Sequence, residues 1–370
     1  MRKLKILVDM HVFDGKHQGT RTYLKGLYAE LIPIAKNHHF FLVANNIENI
    51  KNEFGEHQNV TYIPLKYHNK FYRLLIELTL IIKKHEIDYS HFQYITPLFK
   101  KGKYIVTTHD ILFEQNEFKK FFPLKYRIIN GLFFKYSAKR ADILLTVSEY
   151  SKQKISKLYN IKPKHIYVTP NAVEDTFNLL DTSTKLNSLE KSNEKIVLYV
   201  SRIEPRKNHL ILIKAFIELK LHEQGYKLVF IGSNDLPDTE LIKYLESNKK
   251  LLKNYVIWKQ NVSFKVVKQY YANCALFVFP SLAEGFGIPI LEAMMFNKKM
   301  IVSNSTAMKD FNLPKELTFN PYDKEDLKMK IRNILSSNDD YQKEYDMILS
   351  KYRWENSAEL LFKIINSHHV

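Results

Sequence analysis

Short, unbroken apolar runs separated by longer stretches of helical spacing occur twice along this chain, and no other feature limits its fold so strongly. In the first half the runs fall at 4–10, 40–44, 104–108, 143–147 and 166–169. In the second they fall at 196–200, 227–231, 256–259, 275–279 and 300–302. Most lack the polar alternation of a strand with one wet face, so they predict parallel strands buried on both faces. Stretches between them, such as 208–221 and 266–271, carry helical periodicity. Alternation of this kind builds βαβ units, so the expected class is α/β with two doubly wound parallel sheets. A length of 370 residues suits two domains, each able to bury a core. The stretch 174–194 is rich in Ser, Thr, Asn and Lys and has no strand-like run, which marks a connection. The expected domains are therefore 1–175 and 195–350, joined by a linker at 176–194 and followed by a closing segment at 351–370. Ligands of such sheets sit at the carboxyl ends of the strands, at the switch point. Two sheets facing each other would hold one in the cleft between them.

The formal charge of +17 points to anionic partners: nucleic acid, an acidic membrane surface or a phosphate-rich ligand. The basic residues are spread along the chain and no zinc-finger or RNA-binding motif occurs, so nucleic acid is not expected. The one cysteine, Cys274, lies in an apolar run and reads as a buried thiol; a cytoplasmic protein is the simplest inference. The apolar run 74–82 is about half of the ~20 residues a spanning helix needs, and Glu77 interrupts it. The charged-then-apolar start ends at Asp9 and reads as a first strand. Basic residues interleave with aromatics at 66–73, 118–127 and 133–140. That pattern suits an anionic membrane interface, and so peripheral attachment to the cytoplasmic face of the inner membrane. It equally suits helices that pack aromatics inward and extend lysines outward.

Two segments carry the chemistry. The first runs from Pro280 to Glu292, where a strand ends, a turn with Gly285 and Gly287 follows, and a helix begins near Ile288 and Pro289. Proline suits a first helical position, and glycines let backbone approach a ligand. The N–H groups of a helix start favour an anion or an electron-rich oxygen. Glu292 is a carboxylate in an otherwise apolar helix and requires donors, which a ribose diol or a Lys or Arg could provide. The second segment, Ser201 to His209, follows the strand-like run 196–200 and holds Arg202, Arg206 and Lys207. Cations just past a strand end can bind a ligand's phosphate, and a solvated basic turn carries the same pattern. Arg206 is expected to face solvent.

Glu284 and Glu292, flanking Gly285-Phe286-Gly287, resemble the hallmark of the family 4 retaining glycosyltransferases of the GT-B fold. Pro280-Ser281 before the first glutamate and Glu292-Ala293-Met294 at its end extend the resemblance. It implies two Rossmann-like doubly wound domains facing a central cleft, with a C-terminal helix, beginning near Trp354, that crosses back to the first domain. It implies that Glu284 contacts the transferred sugar and Glu292 the nucleotide ribose. The backbone around Phe286, Gly287 and Ile288 would meet sugar and phosphates, and Arg202 and Lys207 would clamp the diphosphate. In the first domain, His109 resembles the family's histidine facing the donor sugar, and Gly19 lies in a loop similar to its glycine loop, with Arg21 as an added phosphate or acceptor contact. The implied reaction is retaining transfer of a hexose by front-face attack, without a metal or other cofactor. The run Glu204-Pro205-Arg206-Lys207-Asn208 is similar to members using GDP-mannose; UDP- and dTDP-sugars stay open. The implied acceptor is a glycan or lipid-linked glycan of a surface polysaccharide or lipopolysaccharide. A non-catalytic nucleotide-sugar-binding scaffold and a basic nucleic-acid-binding protein are the alternatives from other classes.

Overall fold

A computed structural model describes residues 2–15, 18–174, 195–234 and 238–368. The chain forms two compact units, Met1–Ala172 with Tyr352–Val370, and Val173–Lys351. The linker expected at 176–194 lies outside the described residues.

The first unit is built on a seven-stranded parallel sheet of order β3-β2-β1-β4-β5-β6-β7. Its strands are β1 (Lys5–Asp9), β2 (His39–Ala44), β3 (Val60–Pro64), β4 (Tyr89–Gln93), β5 (Lys103–Thr107), β6 (Ile143–Thr146) and β7 (Ile166–Val168). Five of these are the apolar runs read from the sequence. β4 escaped that reading although it lies at the sheet centre with all five residues buried. Its sequence, Tyr-Ser-His-Phe-Gln, has the polar content of a loop. The structure supplies partners for those groups. His91 Nδ1 meets Tyr28 Oη at 2.7 Å, and His91 Nε2 meets Thr107 Oγ1 at 2.8 Å. β3 escaped because it is an edge strand, only half-buried.

The C-terminal helix Trp354–Ser367 belongs to this first unit. It packs on the helix Gly19–Ile34, where Gly26 makes room for the Trp354 indole. A Cβ on Gly26 would stand 2.0 Å from that ring. Ser357 Oγ donates to the Pro170 carbonyl at 2.9 Å and ties the helix to the end of the first domain's own chain.

The second unit is a six-stranded parallel sheet of order β10-β9-β8-β11-β12-β13. Its strands are β8 (Lys195–Val200), β9 (Tyr226–Ile231), β10 (Val256–Lys259), β11 (Leu276–Phe279), β12 (Met300–Ser303) and β13 (Thr318–Phe319). The order runs outward in both directions from the β8–β11 pair, so the switch point lies between those two strands. In the first unit it lies between β1 and β4. Among the described residues no helix is long and apolar enough to cross a membrane.

Replacing Gly26 tests the return of the C-terminal helix. Helix propensity alone would make Gly26→Ala more stable by about 1 kcal/mol. Overpacking against Trp354 should instead destabilise the protein by about 1–3 kcal/mol. Chemical denaturation measures the sign, and a stabilised variant would mean that Trp354 does not pack there.

Candidate active site

The segments after β8 and β11 emerge side by side because the two strands are adjacent and parallel. Backbone and side chains then stitch the segments together. Leu282 N–H donates to the Arg206 carbonyl at 2.8 Å. Asn208, in the left-handed region with φ 58°, donates from Nδ2 to the Pro280 carbonyl at 3.2 Å and the Pro321 carbonyl at 2.9 Å. Tyr199 Oη donates to the Lys207 carbonyl at 2.9 Å. Gly232, at the end of β9, is also required: a Cβ there would lie 2.0 Å from the Ser201 carbonyl oxygen.

Five charges meet in this junction. Lys207 Nζ lies 2.5 Å from Glu284 Oε1, and Arg206 Nη1 lies 3.1 Å from Glu284 Oε2. Arg206 Nη1 also donates to the Ala283 carbonyl at 2.8 Å. Glu204 completes the set, with Oε2 at 2.8 Å from Arg206 Nε and Oε1 at 3.0 Å from Arg202 Nη2. Lys207, Glu204 and Glu284 are buried, whereas the Arg202 side chain is 52% exposed. Burial drives the Glu284 pKa up, but the charges of Lys207 and Arg206 and the hydrogen bond from Lys207 more than offset it and hold the group at about 2. The Glu284 N–H donates to Thr306 Oγ1 at 2.9 Å, which fixes the backbone behind the carboxylate.

Arg206 corrects the sequence reading. It does not face solvent; its side chain is 12% exposed and binds both glutamates. Glu204, given no role from sequence, joins Arg202 to Arg206. The signal available was a carboxylate flanked by two arginines within a turn at a strand end, where a lone acid would be costly to bury unless paired.

Past Glu284 the chain turns through half-buried Gly285 and buried Phe286, whose ring meets Phe311 edge-on at 5.4 Å between centroids. Gly287 has φ 125°, which a side chain rarely adopts, and a Cβ there would press on Ile290 at 3.0 Å. The helix Ile288–Met295 starts at once, with Pro289 in its first turn. Glu292 is half-buried in this helix and receives a hydrogen bond from Tyr271 Oη at 2.6 Å. Burial raises its pKa to about 7, against the lowering effect of that hydrogen bond. Tyr271, wholly buried, is a second residue that sequence reasoning missed.

The first unit holds the remaining expected residues. His109 follows β5 and is buried, with Nε2 at 2.5 Å from Gln93 Oε1 and its ring between Tyr23 and Tyr94. Burial lowers its pKa to about 3, so the imidazole is neutral at physiological pH. With Gln93 Oε1 as acceptor, Nε2 carries the proton and Nδ1 presents a lone pair. Gly19 opens the helix Gly19–Ile34, with open space where a Cβ would project. Lys16 and His17 of its loop lie outside the described residues. Arg21 pairs with Glu53 at 2.7 Å and lies over the Phe13 ring, contacts internal to the first unit.

Two doubly wound parallel sheets, with a cationic turn set against a glutamate at the switch point of the second, give the chain the GT-B fold. Residues 18–177 match the model of Glycosyltransferase Family 4, and residues 181–352 match that of Glycosyl transferases group 1. The chain belongs to the family 4 glycosyltransferases. It is 29% identical over 229 residues to the serotype-specific mannosyltransferase WbdA of Escherichia coli, a match covering 60% of this chain and 28% of WbdA. The chain thus spans little more than a quarter of that relative's length. It is also 29% identical over 266 residues to the O-antigen chain mannosyltransferase RfbU of Salmonella typhimurium, covering 69% of this chain and 67% of RfbU. Among solved structures, a glycosyltransferase from Rickettsia africae shares the fold with a TM-score of 0.73, 20% identity and coverage of 100% of this chain and 99% of that one. Anabaena HepE in complex with UDP-glucose shares it with a TM-score of 0.70, 17% identity and coverage of 98% and 100%.

The buried charges make the site a stability element as well. Replacing Glu284 by Ala leaves Arg206 and Lys207 facing each other without that carboxylate, which should cost about 3–5 kcal/mol. Thermal unfolding followed by circular dichroism should show a midpoint lower by roughly 10 °C. The parent's acid behaviour has a defined sign. A depressed carboxylate contributes in full above its ordinary pKa of 4.5 and loses that contribution as pH falls toward about 2. Glu284→Ala should lack this acid transition, and an unchanged midpoint and acid profile would contradict the pairing.

Proposed function

We propose that the chain transfers mannose from GDP-mannose, with retention at the anomeric carbon, to a glycan or lipid-linked glycan in surface-polysaccharide synthesis. The carrying observation is the meeting of Lys207 and Glu284 at the switch point, with Arg202 at the same strand end. The relatives WbdA and RfbU, both mannosyltransferases, support mannose. A UDP- or dTDP-sugar is the second reading, and the UDP-glucose complex of HepE favours it. The enzyme would act as a peripheral protein on the cytoplasmic face of the inner membrane.

In this reading Lys207 and Arg202 bind the diphosphate. An ammonium has three donors, and Glu284 takes one, so the others remain for phosphate oxygens. Glu284 has lone pairs beyond those used by Lys207 and Arg206, and these accept sugar hydroxyls. The ionic pair therefore orients both groups in advance, and the cations strengthen their hold as charge grows on the leaving phosphate. They supply the positive charge that a metal would otherwise bring. The backbone from Gly285 to Ile288, with Gly287 allowing close approach, faces the junction of sugar and phosphate, alongside Ser201. In the first unit, the neutral His109 presents Nδ1 as an acceptor for a hydroxyl. The acceptor hydroxyl attacks from the face the phosphate leaves, and a phosphate oxygen takes its proton.

A thermal-shift screen against GDP-, UDP-, dTDP- and ADP-sugars tests the reading. One nucleotide class at about 100 times its Kd should stabilise the protein by ~2.7 kcal/mol. Glu292→Ala should abolish that shift, and no response to any nucleotide sugar would refute the proposal.

Glu292 adds a pH signature. Ribose hydroxyls bind its ionised form best, while the protein holds the group protonated below about pH 7. Affinity for the nucleotide sugar, measured by calorimetry, should therefore rise by up to about tenfold from pH 6 to 8, with proton release on binding. The intact diphosphate diester does not titrate in that range. Tyr271→Phe should move the transition to higher pH, because the lost hydrogen bond favoured the carboxylate. Glu292→Gln should flatten it; a slope that persists there would assign the titration elsewhere.

A further inference from the structure

The first unit carries an apolar face that its own core does not use. The helix Leu124–Arg140 has 17 residues, yet only Phe134, Ser137 and Ala138 are buried. None of its first ten residues is fully buried, and Leu124, Ile128 and Leu132 stand 63%, 56% and 69% exposed at successive i, i+4 positions. Four-residue spacing aligns them as one stripe. The segment 70–85 presents a second stripe, Phe71, Ile76 and Leu80, at 64%, 45% and 60% exposure. Both elements anchor in the same core cluster, through Leu74 and Leu78 from one and Phe134 and Ala138 from the other. The stripes therefore lie over one face of the sheet. Scattered exposed apolar residues are ordinary, but grouped ones mark an interaction surface.

The charge beside the stripes selects the occupant. Between 118 and 140 there are seven Lys or Arg and no Asp or Glu. In the segment 66–85 the lone acid, Glu77, is turned inward, where it accepts the Lys66 and Tyr67 N–H groups at 2.6 and 3.1 Å. Lys66, Lys70, Lys120 and Lys125 are not matched by acids on their own segments. A protein partner would need an apolar groove rimmed by acids; a bilayer with anionic headgroups provides an apolar interior below a negative surface. We propose that the Leu124–Leu132 stripe, with Phe71, Ile76 and Leu80 beside it, inserts into the headgroup boundary of an anionic bilayer, with the flanking lysines on the phosphates. The position of the surface explains the spread of aromatic and basic residues that the donor site leaves unused.

Co-sedimentation with vesicles tests this on the full chain. The parent should bind vesicles of phosphatidylglycerol in phosphatidylcholine at least tenfold better than pure phosphatidylcholine, and less as salt rises. Leu124→Ser with Ile128→Ser and Leu132→Ser should lose most of that binding at an unchanged melting temperature, since none of the three is buried. Lys119→Glu with Lys120→Glu and Lys125→Glu should weaken binding by about fivefold per residue or more. Nucleotide-sugar thermal shifts of both variants should match the parent, so failure of docking is distinguishable from failure of the proposed reaction. Equal weak binding of the parent to both vesicle types overturns the proposal. So does a serine variant that binds as the parent does, or one that changes only the sedimentation coefficient, which would assign the face to a second copy of the chain.

Discussion

The adjacency of β8 and β11 is the constraint on which the candidate site depends. Parallel strands side by side release their chains at the same edge, so the turns after Val200 and Phe279 must share one volume. Each brings charge into it. The pairing of Lys207 with Glu284 and of Arg206 with both glutamates is what makes that shared burial tolerable, because any one of these groups alone would be costly to desolvate. The backbone bond from Leu282 to Arg206 and the two bonds from Asn208 keep the turns in register. Preorganisation follows from the same contacts: the ammonium and the carboxylate cannot drift apart without exposing each other's charge to an apolar interior.

The first unit solves a different problem at its own sheet centre. There a hydrogen-bonded polar network lies in the same sheet as a buried ion pair, Asp9 with Arg73 at 3.5 Å. Tyr28, His91, Thr107, Tyr23 and Thr169 form a chain of hydrogen bonds beneath β4 and β5. Gln93 Nε2 lies 3.4 Å from His91 Nε2, and Gln93 Oε1 meets His109. That orientation of the amide sets the His109 tautomer, with its lone pair on Nδ1. The histidine is thus a fixed dipole held neutral by burial, which suits binding a hydroxyl and does not suit offering a positive charge.

Legibility followed the physics of each element. Parallel strands announce themselves through unbroken apolar runs, and ten of the thirteen among the described residues were legible that way. β4 was hidden because its buried polar side chains find partners on β5 and on the helix Gly19–Ile34, contacts distant in sequence. β3 and the two-residue β13 are edge pieces with little burial pattern to read. The two chemical segments were legible because strand ends and glycine turns are local. Their mutual arrangement was not. Arg206 looks like a surface residue in any local window, and only the approach of Ala283 and Glu284 from another strand buries it. Tyr271 and Gly26 are of the same kind, their roles set by Glu292 and Trp354 from elsewhere in the chain.

The two glutamates of the hallmark show how far such context can divide identical side chains. Glu284 and Glu292 are separated by seven residues, and burial disfavours the charge of both. Glu284 faces two cations and stays ionised to about pH 2, whereas Glu292 faces one tyrosine hydroxyl and holds its proton to about pH 7. A hydroxyl can donate one hydrogen bond but adds no charge, so it recovers only part of what burial costs a carboxylate. Glu292 is therefore the group with the greater unmet demand for donors, and Glu284 the group whose charge is already balanced. A ligand offering hydroxyl donors gains more by approaching the first, while one offering phosphate gains more near the cations that hold the second. In the proposed reading, the chemical asymmetry of a nucleotide sugar, a neutral diol at one end of a diphosphate and a sugar at the other, meets this difference in charge state rather than any difference in residue type.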